Sequence, residues 1–243
     1  MAEKMKSPER KKLFKTGDAG KIIEAIKSGA IDFEKDIPDE VKTAEICLAA
    51  VKENGMGLSA VPKDIRTKEI CLAALANAPG NGYGISLIEY VPTELLSEEL
   101  CIAAVKHLGC ALGNIPNEFK TPEVCLTAVQ NAKNNGKHPD DHPYSDQILT
   151  KVPEQLLTYE LCLAAVKHSG RAIAYVPENF ITKELCMEAV KEYGEALRHV
   201  PEDLKTLEMC IEAVKNDKGA FKFFVPDALK AKVKEAVGWK DND

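Results

Sequence analysis

Val176-Pro177-Glu178-Asn179-Phe180-Ile181-Thr182-Lys183-Glu184-Leu185-Cys186-Met187-Glu188-Ala189-Val190-Lys191 decides the fold, because it is one copy of a phrase repeated along the chain. The same register recurs at Cys47, Cys71, Cys101, Cys125, Cys162, Cys186 and Cys210, at intervals of 24, 30, 24, 37, 24 and 24 residues. A fixed unit of that length signals a repeat array, in which each unit buries its apolar face against its neighbours. The expectation is an all-α protein: an α-solenoid of about seven 24-residue helix-pair repeats with divergent units at both ends.

The local physics is the same in each unit. Val-Pro or Ile-Pro forms a corner, since Pro fixes φ and pushes the residue before it towards extended geometry. One helical turn follows, and then Thr43, Thr67, Ser97, Thr121, Thr158, Thr182 or Thr206 is placed to cap the main helix. Glu stands two residues after each cap, at the positive end of the helix. Within the helix, Ile46, Cys47, Leu48, Ala50 and Val51 cover more than half the circumference, as in a helix packed on two sides. Gly55, Gly109, Gly170 and Gly194 are expected to end their helices in the C′ manner, before a second short helical turn.

The ends depart from the pattern. Residues 1–16 read as a basic leader, frayed or partly helical, and residues 17–240 as a single solenoid domain. Asp18 to Gly29 is a degenerate first unit with Asp18 in the cap position. From Pro226 the pattern gives way to a more polar segment that reads as a capping helix, with the only Trp at 239. Two insertions, near 78–84 and 131–147, leave at the same point of their units, after the main helix. Insertions of this kind often mark the binding side of an array.

Composition narrows the function classes. Hydrophobic residues make up 45% and charged residues 29% of the 243, a globular balance. A formal charge of −6 argues against nucleic acid as partner, because phosphate binding needs a basic face. No apolar run reaches the ~20 residues of a membrane span, and the basic N-terminus has no apolar segment behind it, so the expectation is a cytoplasmic protein with no membrane partner. Eight cysteines invite a disulfide or zinc reading. Equivalent residues on stacked helices sit about 8–10 Å apart, beyond the roughly 4.4–6.8 Å of a disulfide, and no Cys-x-x-Cys seeds a zinc site. The in-register thiols therefore read as small buried hydrophobes.

The phrase at 152–167 and 176–191 resembles a family of bacterial helical repeats catalogued as a domain of unknown function (the 4116 type), whose units commonly read G-x-A-L-x-x-V-P-E. The resemblance covers about residues 30–230 and implies an α-solenoid without catalytic residues. A looser likeness links the chain to leucine-rich repeat variants, which alternate α and 3₁₀ helices. Some of those carry an N-terminal iron–sulfur cluster, but the leader here has no Cys to hold one.

No GxSxG, phosphate-cradling loop, HExxH or Cys-His nucleophile is present, so no catalytic residue, cofactor or metal is assigned and the chain reads as a non-enzyme. His138-Pro139-Asp140-Asp141-His142-Pro143 gathers metal-capable side chains. Its prolines break the helical spacing that would fix both imidazoles, so a polar surface loop is the reading and a metal-dependent enzyme at 138–142 the remote alternative. Lys52, Lys106, Lys167, Lys191 and Lys215 follow seven residues behind Glu45, Glu99, Glu160, Glu184 and Glu208, giving a solvated edge or a charged rim beside a partner groove. The expected function is a scaffold that binds a partner protein or peptide, a basic one among the options, through its concave face and same-edge insertions. Candidate contacts are Tyr83, His107, His138, Asp140, Asp141, His142, Tyr144 and His168. An immunity-type inhibitor of a basic bacterial toxin is a specialised form of the same reading.

Overall fold

The computed structural model describes residues 4–78, 87–132 and 147–239. Described elements are helical throughout, with no strand among the described residues, and α-helices alternate with 3₁₀ helices. The chain divides into two compact units, Met1–Phe119 and Lys120–Asp243. In the first, the helices Ala19–Lys27, Ala44–Glu53, Lys68–Ala76 and Glu98–His107 pack in series. In the second, Pro122–Gln130, Tyr159–His168, Lys183–Glu192 and Leu207–Asn216 do the same, and Asp227–Val237 closes against the last of them. Each unit is thus an α-solenoid stack, and no described helix is long and apolar enough to cross a membrane.

The rungs from Cys47 to Cys186 share one plan, whereas in the Cys210 rung the α-helix Gly219–Phe223 replaces the 3₁₀ helix. The cap is followed by a main helix of nine or ten residues, then a 3₁₀ helix such as Gly170–Tyr175, the Val-Pro corner, and a short 3₁₀ turn such as Glu178–Phe180. The hydroxyls of Thr43, Thr67, Thr121, Thr158, Thr182 and Thr206 accept from the backbone N–H three residues on, at 3.2–3.4 Å. Ser97 departs from that expectation. Its hydroxyl makes no cap bond and is buried without a partner among the described residues.

Four residues of each main helix form the core: the Cys, the residue before it, and the Ala and Val (Leu75 in one rung) three and four later. In the Cys186 helix these are Leu185, Cys186, Ala189 and Val190, each 0% exposed. Burial on both sides of the helix follows from rungs stacking on both sides.

One further expectation is corrected. Gly55, Gly109, Gly170 and Gly194 do not end their helices in a left-handed turn; positive φ among the described glycines is confined to Gly17, Gly29 and Gly238. The main helices end instead on extended residues, Asn54, Leu108, Ser169 and Tyr193, and the glycine begins the 3₁₀ helix. Close approach of the next rung is the physical reason. A Cβ on Gly194 would stand 2.5 Å from the carbonyl oxygen of Ala213, and Gly55 and Gly170 face Ala74 and Ala189 in the same way. Of the two forms expected for the leader, the structure shows the partly helical one, and the helix is docked. Ser7–Thr16 is a helix, the Met5 N–H donates to the Ala30 carbonyl at 2.9 Å, and Arg10 pairs with Asp36.

Candidate partner-binding surface

The residue directly after each core Cys is large and aliphatic: Leu48, Leu72 and Ile102 in the first unit, Leu126, Leu163, Met187 and Ile211 in the second. All are half-buried except Leu126, which is exposed at 40%. Their positions follow from helix geometry, since a core occupying four of every seven positions leaves this one turned partly outward. Three residues earlier on the same face stands the exposed Glu of each rung, and four residues later an exposed Lys in five of the seven. Each unit therefore carries an aliphatic ribbon with an acidic row towards the helix N-termini and a broken basic row towards the C-termini.

Among the described residues the two charged rows make no ion pair with each other along one helix. Instead Glu99 takes Lys68 of the preceding rung at 2.6 Å, and Glu184 accepts from the Tyr159 hydroxyl of the preceding rung at 3.2 Å. Lys191 and Lys215 pair with Glu188 and Glu212 on their own helices at 3.0 and 3.8 Å. The acidic row is present in every rung. The basic row is interrupted by Ala76 and Gln130 and is partly neutralised.

One set of polar residues was missed in the sequence. Lys42, Arg66, Lys120 and Lys205 each directly precede a cap Thr, and each reaches a carbonyl that directly precedes the next Val-Pro corner. Lys42 donates to Ala60 and Lys120 to Lys151, both at 2.9 Å; Arg66 donates to Tyr90 at 2.7 Å and Lys205 to Phe224 at 3.3 Å. Burial pushes the Lys120 ammonium below its ordinary pKa. Leu96, Leu157 and Ile181 fill the same place elsewhere, so the signal was a cation alternating with aliphatics at one register position. These cations brace successive corners.

Of the candidate contacts read from the sequence, Tyr83, His138, Asp140, Asp141, His142 and Tyr144 lie outside the described residues. His107 and His168 occupy helix C-termini, away from the ribbon. His168 Nε2 lies 2.7 Å from the Ala132 carbonyl, the last described residue before the longer insertion. His107 Nε2 is buried without a partner among the described residues. No group of three or more His, Cys, Asp or Glu among the described residues is placed to hold a metal.

All eight cysteines are free, and seven are buried; Cys110 is half-buried. Burial raises every thiol, to about 11 for Cys47, Cys101, Cys162 and Cys186. Cys71, Cys110, Cys125 and Cys210 move in the same direction for the same reason. Such thiols are packing pieces rather than nucleophiles.

No curated protein and no solved structure matches the chain. A family model does, in two overlapping copies over residues 158–205 and 182–230, offset by one rung. Each copy begins at a cap Thr and runs through the main helix, the 3₁₀ helix and the next rung. These rungs of the second unit belong to the repeat family described as a domain of unknown function (DUF4116).

Proposed function

We propose that the chain is a non-catalytic scaffold that binds a partner polypeptide along the exposed face of its main helices. The observation that carries this reading is the ribbon of half-buried aliphatic residues in each unit, one per rung, with an exposed glutamate beside every one of them. Solenoids use such continuous faces as extended binding surfaces, and apolar side chains between charged borders form the usual core and rim of an interface. The insertions leave the described rungs at Ala78 and Ala132, just beyond main-helix C-termini, the end that carries the lysines. Eight reduced thiols suit a reducing compartment, and we place the activity in the cytoplasm.

The test compares affinity capture from native lysate by the wild-type chain and by Leu126→Glu. Leu126 is the most exposed ribbon residue, so the variant keeps its melting temperature. A partner held by the wild type and lost by the variant supports the surface. A partner retained equally by both removes the ribbon from the interaction.

A further inference from the structure

We infer that the partner segment is an extended, basic strand whose apolar side chains recur every third residue, an inference that rests on the main-helix face being the binding surface. In the second unit, the helices of Cys162, Cys186 and Cys210 pack side by side, each offering one half-buried aliphatic residue: Leu163, Met187 and Ile211. Packed helices lie about 8–10 Å apart. A polyproline II strand rises about 3.1 Å per residue and completes one turn in three. It therefore climbs about one rung per turn and returns the same face to the protein at each rung. One apolar side chain of the strand meets one aliphatic side chain of the ribbon, and the register holds for as many rungs as the strand covers.

Charge sets the remaining positions. Glu160, Glu184 and Glu208 stand exposed one helical turn before the three ribbon residues. On the other border Lys191 and Lys215 are already paired with Glu188 and Glu212 on their own helices. Among the described residues only Lys167 on that border is left without such a pair, so the three exposed glutamates outnumber the cations left to a partner three to one. The matching strand repeats an apolar residue, a spacer and a Lys or Arg. An α-helix, rising 1.5 Å per residue, needs about seven residues per rung and is about 10–12 Å wide. It is the competing geometry.

The experiment titrates the full chain into labelled synthetic peptides and follows fluorescence anisotropy. The first peptide is four Leu-Pro-Lys triplets, in which Pro holds the extended form. The controls are Leu-Pro-Glu triplets, a Leu-Pro-Lys-Pro repeat with a four-residue period, and a basic amphipathic helix with a heptad period. The triplet peptide is expected to bind about tenfold tighter than the acidic and four-residue controls. The variant E160Q/E184Q/E208Q, which folds as judged by circular dichroism, is expected to lose about tenfold as three rim pairs disappear together. Equal binding of the four-residue control, or an unchanged triple variant, overturns the inference. Binding of the helical peptide alone sinks the extended strand while leaving the surface reading intact. Failure of every peptide counts against both.

Discussion

Gly194 and Ala213 meet backbone to backbone across two rungs: a Cβ on the glycine would stand 2.5 Å from the alanine carbonyl oxygen. The same carbonyl accepts the Asp217 N–H at 2.7 Å, so it cannot swing away without opening the end of its own helix. Gly170 makes the same approach to Ala189. The small residues of the repeat thus set how closely one rung lies on the next.

Gly194→Ala is therefore expected to destabilise the second unit by about 1–3 kcal/mol, the cost of forcing atoms into a filled site. Gly17→Ala is the useful contrast. That glycine has φ 63° but nothing within 4 Å, so its cost is conformational and smaller. Thermal melts of both variants check this; equal losses would show that rung contact is not what the Gly194 position requires.

Lys205 is expected to tolerate Leu but not Ala. Its side chain is 6% exposed and its ammonium reaches Glu202 and the Phe224 carbonyl. Both substitutions take the ammonium from the Phe224 carbonyl, but Lys205→Ala also leaves a void, for a total of about 1–3 kcal/mol. Lys205→Leu copies Leu96 and Leu157, which fill the same register position, and is expected to lose less than about 1 kcal/mol. Chemical denaturation midpoints of the two variants distinguish them.

The caps make a paired prediction. Thr182→Ala removes the acceptor of the Leu185 N–H and is expected to cost about 1 kcal/mol. Ser97→Ala removes a buried hydroxyl that has no partner among the described residues. It is expected to be neutral or slightly stabilising, because no bond is lost and an unsatisfied polar atom disappears. A loss at Ser97 as large as at Thr182 would mean that its hydroxyl does cap.

Alkaline pH should weaken the fold through the thiols. Folding raises Cys47, Cys101, Cys162 and Cys186 from about 9 to about 11, so the folded state keeps protons that the unfolded state releases. The stability from these groups is fully present below pH 9 and is lost as pH rises towards 11. Melting temperatures are expected to fall over that window, and less steeply in Cys186→Ala than in the wild type. At pH 8 the native thiols should resist a disulfide reagent, with half-buried Cys110 the first to react.

Much of the architecture was legible because it is local. The Thr caps, the Pro corners and the buried quartet around each Cys all depend on residues within one or two turns of each other, and a repeated unit states them several times over. Ile22, standing in the core-Cys place of the degenerate first unit, is fully buried for the same reason. The ribbon was less visible, because an aliphatic residue beside a buried Cys looks like more core until the stack shows which side stays open.

By itself, then, the sequence determined an all-α repeat array, its rung length and its core, since periodic burial and capping are written in the spacing of residues along one helix. Only the tertiary structure decided what the glycines are for, that Lys42 reaches Ala60, that His168 lies against the Ala132 carbonyl, and that Glu99 pairs with Lys68. Each of those contacts joins side chains or backbones 18 or more residues apart. Their meeting depends on how far one rung is offset from the next, a quantity that no pattern within a single rung contains.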